Sequence, residues 1–451
     1  MTKHKGVDLT QGRVMTVLLA LALPIMGSSV LQLTYNMVDM ILVGRLGSDA
    51  VASIGTSSFL IGITTAINAC VVIGTGIKVS HTIGQENEVE LKSYLNAGFR
   101  LNLVIAVICS FLLIIIGRPF ISFLDIQNLV VETESYKYLL ISSPTIFFSF
   151  FNFWYTRIYN SYGRNKSALK ISVVGVVLNI ILDPLFIYTF KLGVVGAGLA
   201  TLLANMTVTY LFYRQSQSLF KLDRGLKISL DMYRDIIRLG APMSFQRVLF
   251  TLVSIGLAKM IAIFGTEAIA AQKIGLQIES ITYMVIGGLN GAIASFVGQN
   301  YGAKSYDRIR QGVSASIRIG MSYAILTTII FLAFPRNLAG FFVQEANTIE
   351  MTAHYLQIVG LTQVFMVVEM ICNGTFVGLG LPKISATISI VFTLLRLPMA
   401  WGLIQVIGVN GIWVSISLSM LFKGVVALMM YYKKLREGEW CVNASQIKTN
   451  S

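Results

Sequence analysis

Apolar residues occur along this chain in long, nearly uninterrupted runs separated by short polar connections. A run of about twenty residues spans the hydrocarbon layer as an α-helix, which satisfies the backbone polar groups where no water is present. The sequence therefore predicts membrane-spanning helices over twelve runs: 15–39, 51–79, 97–117, 136–160, 168–190, 193–213, 240–264, 269–297, 313–334, 353–378, 384–407 and 409–432.

Composition and charge agree with this pattern. Hydrophobic residues make up 55% of the 451 residues and charged residues only 12%, which excludes a soluble core coated with charge. We predict an all-α integral membrane protein. The net charge of +14 is concentrated in alternate connections, a bias typical of cytoplasmic loops. It predicts cytoplasmic N- and C-termini in a multi-pass protein of the cell (plasma) membrane, and it gives no reason to expect a nucleic-acid partner.

The second half of the chain repeats the first. Pro24 aligns with Pro242 at a shift of 218, and "GVVGAG" from Gly193 aligns with "GVNGIW" from Gly408 at a shift of 215. Six helices per repeat give both halves the same orientation, so the symmetry axis lies along the membrane normal. Repeats of this kind usually enclose a transport site. We predict an N-terminal six-helix bundle at 1–213, a cytoplasmic linker at 214–238, a C-terminal six-helix bundle at 239–434 and a cytoplasmic tail at 435–451.

Three polar or helix-breaking residues interrupt the fifth run, in "LNIILDPLF". Asn179 and Asp183 are four residues apart and share a helix face. Pro184 has no N–H for the carbonyl of Ile180, which predicts a kink and a free carbonyl oxygen. A charged carboxylate at mid-membrane costs about 2.5–3.5 kcal/mol, so Asp183 must face protein or water. Together these groups predict a site for a proton or a small hard cation.

Two other runs of the first half carry polar stripes, which predicts a wet cavity inside that half. Residues three, four or seven positions apart lie on the same helix face. The stripes consist of Gln32, Asn36 and Asp39 with Tyr35 beside them in the first run, and of Thr201 and Asn205 in the sixth. For Asn36, Thr201 and Asn205, hydrogen bonding between helices is an equally good interpretation.

The second half has two buried acid candidates, Glu279 and Glu369. Each can line a substrate cavity or pair with one of the cations in the same half. Those cations are Arg247, Lys259, Lys273, Arg396 and Lys423.

Several stretches resemble the multidrug and toxic compound extrusion (MATE) family. They include "PIMGSSVLQLTYNMVDMILVGRLGSDAVAS", "GRNKSALKISVVGVVLNIILDPLFIY", "GVVGAGLAT" and "FVGQNYGAKSYDRIRQG". The resemblance covers nearly the whole chain. It implies two six-helix bundles in a V shape that export amphipathic, often cationic or aromatic compounds in exchange for H⁺ or Na⁺.

The resemblance is greatest to the branch of the DNA-damage-inducible and archaeal members. That branch implies a proton or Na⁺ coupling site at Asp39, Asn179, Asp183 and Thr201. One position departs from other branches, which place an acid in the seventh helix where this chain has Phe250. An ion site in the C-terminal bundle is therefore left open.

The sequence thus predicts an antiporter that works as a monomer on small molecules in membrane lipid. It predicts no catalytic activity and no cofactor apart from the coupling ion. Substrate-lining positions are predicted at Gln32, Tyr35, Asn36, Asn205, Glu279 and Glu369. The alternative is a flippase for lipid-linked oligosaccharides, in which Arg247 and Arg396 would meet a pyrophosphate group.

Overall fold

A computed structural model of the protein describes residues 7–123, 128–223 and 225–437. These residues form fifteen α-helices and one π-helical turn, the latter at Leu185–Thr189 between α5 and α6. The helices are α1 (Val14–Gly44), α2 (Ser48–Gly84), α3 (Glu88–Phe123), α4 (Leu129–Ser161), α5 (Asn165–Pro184), α6 (Gly193–Ser216), α7 (Leu230–Ala262), α8 (Thr266–Gly302), α9 (Tyr306–Ala333), α10 (Pro335–Gly340), α11 (Ala346–Gly360), α12 (Gln363–Gly378), α13 (Pro382–Leu394), α14 (Arg396–Ile407) and α15 (Asn410–Arg436).

The predicted membrane-protein fold is confirmed. Within the described ranges, ten helical segments are long and apolar enough to cross a membrane, counting α13 and α14 together, and α11 with α12 forms a further span bent by 54°. The remaining predicted run coincides with α4, which is 33 residues long. Its serine, tyrosine and asparagine side chains lower its hydropathy, and it packs against α2, α3 and α6, where Ser135, Ser143 and Asn152 find hydrogen-bond partners.

The described residues of 23–244, with Val7 and Asp8, form one compact unit, called unit 1. Aromatic rings fill its core: Tyr155 stacks on Phe212 with ring centroids 5.6 Å apart. Short side chains join its helices, since Ser110 and Ser143 each donate a hydrogen bond to the other's carbonyl, at 2.9 and 2.8 Å. Interhelical hydrogen bonds of this kind are common in membrane proteins, because lipid provides no hydrophobic driving force for helices to associate.

Residues 9–22, with the described residues from Phe245 on, form the second compact unit, called unit 2. Tyr355 and Trp413 meet edge to face in its core, with centroids 5.8 Å apart. Helix α12 lies close against α8, because a Cβ at Gly374 or Gly378 would come within 2.7 Å of a backbone oxygen of α8. The predicted boundaries of the two bundles, at residues 213 and 239, stay a prediction. When the chain is divided by its internal contacts, α1 and α7 each contribute residues to both units.

An arginine in each unit binds the backbone of a segment that leads into a helix. In unit 1, the Arg100 guanidinium donates to the carbonyl of Leu226 at 3.0 Å, ahead of α7. In unit 2, the Arg308 guanidinium donates to the carbonyls of Leu9, Gln11 and Gly12. The Asn300 amide also donates to Leu9, at 2.9 Å. The segment before α1 is therefore part of the packed core of unit 2, where Leu9 is fully buried.

The repeat in the sequence is also a repeat in conformation. Helices α2 and α8 each contain 37 residues. Positive φ angles recur at matching positions: Glu86 (57°) and Lys304 (57°), Gly47 (112°) and Gly265 (93°), Gly163 (68°) and Gly380 (77°), Gly193 (55°) and Gly408 (60°). A left-handed backbone is costly for residues other than glycine, so the shared value at Glu86 and Lys304 shows that the two halves have the same fold.

Candidate functional site

The buried acid of the fifth helix lies where the helix geometry changes. Asp183 is fully buried and Asn179 is 2% exposed, in the last two turns of α5. Pro184 ends α5, and the chain continues as the π-helical turn, in which the Phe190 N–H donates to the Leu185 carbonyl at 2.9 Å. The kink predicted from Pro184 therefore takes the form of a wider helical turn directly after the carboxylate.

Asn179 connects the acid to α6. The Asn179 amide is oriented so that both of its polar atoms face complementary groups. In this orientation its nitrogen donates to Asp183 Oδ2 at 2.8 Å and its oxygen accepts from the Thr201 N–H at 3.2 Å. This orientation gives each amide atom a complementary partner. Asp183 therefore receives an N–H donor, while the amide oxygen is engaged by the backbone of α6.

Helix α1 joins the same group through Tyr35. The Tyr35 hydroxyl lies 3.3 Å from Thr201 Oγ1. Because the Thr201 hydroxyl donates to the Ala197 carbonyl at 3.0 Å, its oxygen is free to accept, and Tyr35 is the donor. Asn179, Thr201 and Tyr35 thus form a continuous chain of polar contacts from α5 through α6 to α1.

Asp39 lies one turn beyond Tyr35 on α1 and is half-buried. In the part of the chain that the structure describes, its carboxylate has no hydrogen-bond partner. It is within electrostatic range of Asp183, and both acids are within range of Tyr35 and Tyr138. The four predicted coupling residues therefore lie in one acidic cluster of unit 1, and no Lys or Arg contacts either carboxylate among the described residues.

A close approach of α6 to the π-helical turn holds this cluster in place. A Cβ at Gly196 would lie 2.7 Å from the backbone carbon of Phe186, so only glycine fits there without displacement. The Tyr188 hydroxyl of the same turn donates to the Leu42 carbonyl of α1. The "GVVGAG" motif thus brings α6 against the end of α5. The π-helical turn that follows α5 also contacts α1.

The predicted substrate-lining residues of unit 1 fall into two groups. Gln32 and Asn36 are exposed and bonded to each other at 3.2 Å, as expected for a polar stripe that faces a wet space. Asn205 instead links α6 to α4, because its side-chain oxygen accepts from Ser149 at 3.1 Å and from Asn152 at 3.0 Å. The structure therefore supports the interhelical interpretation of Asn205.

In unit 2, the two acids lie in a network with two buried cations. Glu279 is 1% exposed and accepts from the Tyr355 hydroxyl at 2.7 Å, while Glu369 accepts from Ser389 at 2.9 Å. Lys423 is within electrostatic range of Glu369. Glu279 and Glu369 are thus brought together in a network that contains both signs of charge.

Arg396 is the other cation of this network, and it is 6% exposed. Its Nε donates to Ser419 at 2.9 Å, and it is within electrostatic range of Glu279. Its guanidinium lies 5.8 Å from the ring centroid of Phe250. The seventh-helix position at which other branches have an acid therefore faces a cation of the protein itself.

Sequence reasoning missed the aromatic and small polar partners of both groups. Tyr138 belongs to α4, whose polar side chains follow no isolated stripe, and Tyr355 occurs in an apolar run where tyrosine is common. Their roles depend on contacts between helices. A short-range pattern in the sequence carries no signal for such contacts.

The fold and the site together define a polytopic helical membrane protein with two repeated units and a buried acidic cluster in one of them. The family model MatE matches residues 24–185 and 242–401, which is one segment in each repeat. The chain belongs to the MatE family, which is a family of transporters.

The similarity to known relatives covers about three quarters or more of each chain. The chain is 24% identical to a probable multidrug resistance protein NorM of Thermotoga maritima, over 94% of this chain and 92% of that protein. It is 28% identical to a probable multidrug resistance protein YoeA of Bacillus subtilis, over 74% and 75%. A crystal structure of a Vibrio cholerae MATE transporter superimposes with a TM-score of 0.90 at 21% identity, covering 95% and 98% of the two chains.

Proposed function

We propose that this protein is a secondary active multidrug exporter that expels amphipathic, often cationic or aromatic compounds in exchange for a coupling ion. The observation that carries the proposal is the pair of carboxylates, Asp39 and Asp183, held in unit 1 without a Lys or Arg partner among the described residues. Such a pair takes up a proton or cation readily, because like charges in a low dielectric repel each other. The names of the relatives support export of many compounds.

The orientation of Asn179 favours H⁺ over Na⁺ as the coupling ion. Its N–H points at Asp183 and its oxygen accepts from α6, so only one lone pair of the amide oxygen is left for a metal ion. Na⁺ requires several oxygen ligands at once, whereas a proton requires one lone pair. A protonated Asp183 would donate to the amide oxygen, and the amide would then have to reverse.

Reversal of this amide would carry the signal to α1. In the reversed orientation, the Asn179 nitrogen faces Thr201 Oγ1 at 3.5 Å, the atom to which Tyr35 donates. The reversed nitrogen would also face the Thr201 N–H, from which the amide oxygen accepts in the present orientation, so this hydrogen bond between α5 and α6 would be lost. Proton uptake at Asp183 would thereby loosen the contact of α5 with the part of α6 that Tyr35 binds, and the exposed pair Gln32 and Asn36 would move with α1 and release substrate.

The remaining assignments are proposals of the same kind. We place the protein in the plasma membrane with both termini in the cytoplasm, working as a monomer with small molecules and membrane lipid, without nucleic acid, catalytic activity or any cofactor apart from the coupling ion. A flippase is not favoured, because Arg396 is engaged with Ser419 and Phe250 inside unit 2. The positive charge of Arg396 is therefore part of the network that contains Glu279 and Glu369.

Efflux of ethidium from loaded cells or everted vesicles tests the proposal, with a proton gradient and a sodium gradient imposed separately. We expect the proton gradient to drive export by the wild type, and Asp183→Asn to lose this export while its abundance in the membrane is unchanged. Asp49→Asn, at the exposed start of α2, is the matched control and should export normally. Export driven only by sodium would establish Na⁺ coupling instead. No export under either gradient by correctly inserted protein would contradict the exporter assignment.

A further inference from the structure

A groove between α5 and α6 lies at the end of unit 1 where α5 begins and α6 ends. Its volume is about 480 Å³. Four polar side chains line its mouth, namely Ser167, Lys170, Arg214 and Gln215, and the apolar side chains of Ile171, Val174 and Leu211 form the rest of the wall. We propose that this groove binds the phosphate headgroup of an anionic phospholipid such as phosphatidylglycerol.

The charge at the mouth of the groove is not compensated by the protein. Lys170 and Arg214 come from two different helices and are both exposed. Neither forms an ion pair or a hydrogen bond with any residue in the described ranges. A basic pocket between helices at the membrane surface is the arrangement that binds an anionic headgroup. The long side chains of lysine and arginine reach the interface from positions inside the span.

An apolar stripe continues from the groove along α5. Lys170, Val174, Val177 and Ile181 follow one another at intervals of four, three and four residues, so they lie on one helix face. The three aliphatic side chains are 44%, 50% and 59% exposed. From Lys170 to Ile181 this face extends for about 16 Å at 1.5 Å per residue, and its aliphatic part from Val174 to Ile181 for about 10 Å, which is the reach of part of an acyl chain. The surface thus has a basic end and an apolar body, as an anionic lipid requires.

A general excess of basic residues at the predicted cytoplasmic side does not explain the presence of Lys170 and Arg214 in the groove. Gly163 and Gly380 occupy matching positions before α5 and α13, and Lys166 accordingly has a counterpart in Lys383. The counterpart of Lys170 is Thr387. With the alignment of Gly193 and Gly408, Arg214 corresponds to Met429. The two halves therefore share the cation that lies outside the groove and differ at both cations that line it.

Native mass spectrometry of the full-length protein in detergent tests the proposal, with phosphatidylglycerol or phosphatidylcholine added stepwise. We expect the wild type to retain one phosphatidylglycerol more tightly than phosphatidylcholine. The double variant Lys170→Gln/Arg214→Gln should bind phosphatidylglycerol roughly twenty-five-fold more weakly, because each basic residue near an anionic surface contributes a factor of about five. Each single variant should show about a fivefold loss.

Lys166→Gln is the matched control, since it removes a cation from the first turn of α5 outside the groove, and its affinity should stay within about twofold of the wild type. The proposal is overturned if the double variant retains phosphatidylglycerol like the wild type, or if phosphatidylcholine binds equally well. Displacement of the lipid by millimolar inorganic phosphate would also overturn it, because the site would then recognise free phosphate. Both groove cations are exposed, so an unchanged thermal unfolding midpoint identifies variants that are folded.

Discussion

Single residues decide the chemistry of the acidic cluster. The pairing of Asn179 with Asp183 could be predicted from the sequence, because residues four apart on a helix face each other. The contact of Tyr35 with Thr201 could not, since these residues are 166 positions apart and meet only after α1 and α6 have packed. The cluster was therefore predictable in its local members, while the connection between its helices had to be observed.

Tyr35→Phe tests that connection. The variant keeps the ring and removes the hydroxyl that donates to Thr201. A hydrogen bond of this kind contributes about 0.5–1.5 kcal/mol, so we expect gradient-driven ethidium export to fall by roughly twofold to tenfold without being abolished. Tyr210→Phe, an exposed tyrosine on α6, is the control and should export like the wild type. Unchanged export by Tyr35→Phe would show that the link to α1 plays no part in coupling.

At the scale of the helices, the hydrophobic runs correctly predicted which segments are helical. They did not predict where two of the helices are broken. The runs 353–378 and 384–407 read as single helices, yet the structure breaks them at Leu361–Thr362 and at Leu395. Pro398 marks the second break, because it has no N–H for the carbonyl of Leu394, whereas no proline or long polar segment marks the first. At the first, the Thr362 hydroxyl contacts Ser417 at 2.8 Å, a contact with α15 that only the packed bundle provides. Helix α7 likewise begins ten residues before its apolar run, because Ile236 is buried in unit 1.

The approach of α6 to the π-helical turn gives a prediction at this scale. Gly196→Ala places a Cβ about 2.7 Å from the Phe186 backbone, where the neighbour is main chain and cannot rotate away. We expect a loss of about 1–3 kcal/mol in stability, seen as a lower thermal unfolding midpoint in detergent. In Gly62→Ala the new Cβ meets nothing within 4 Å, so this control should keep or raise the midpoint. Equal midpoints for the two variants would contradict the close packing.

On the scale of the whole molecule, the two units share a fold but differ in charge balance. Unit 1 holds Asp39 and Asp183 without a cation in contact among the described residues. In unit 2, Glu279 and Glu369 are accompanied by Arg396 and Lys423, each buried. A charge that lacks an internal partner must obtain one from solution, whereas a balanced network is satisfied within the protein. We therefore expect coupling to depend on unit 1 and the unit 2 network to contribute to stability.

Glu369→Gln tests this division. The amide keeps an oxygen for Ser389 but leaves Lys423 without its acidic neighbour, which should lower stability by about 1–3 kcal/mol. Ethidium export should still require the ion gradient, in contrast to Asp183→Asn. Adding Lys423→Met should restore part of the lost stability, because the unpaired cation is then removed as well. Loss of gradient dependence in Glu369→Gln would instead assign a coupling role to unit 2.

The binding of the segment before α1 by Arg308 and Asn300 has a consequence for how the chain is made. Leu9 is synthesised before the amide that binds its carbonyl, which lies 291 residues later in the chain. Residues 9–22 are therefore made well before the rest of unit 2, from Phe245 on, exists to bind them. Unit 2 is completed by a segment that precedes the first repeat, so cutting the gene between its two repeats would separate that unit from the segment that completes it.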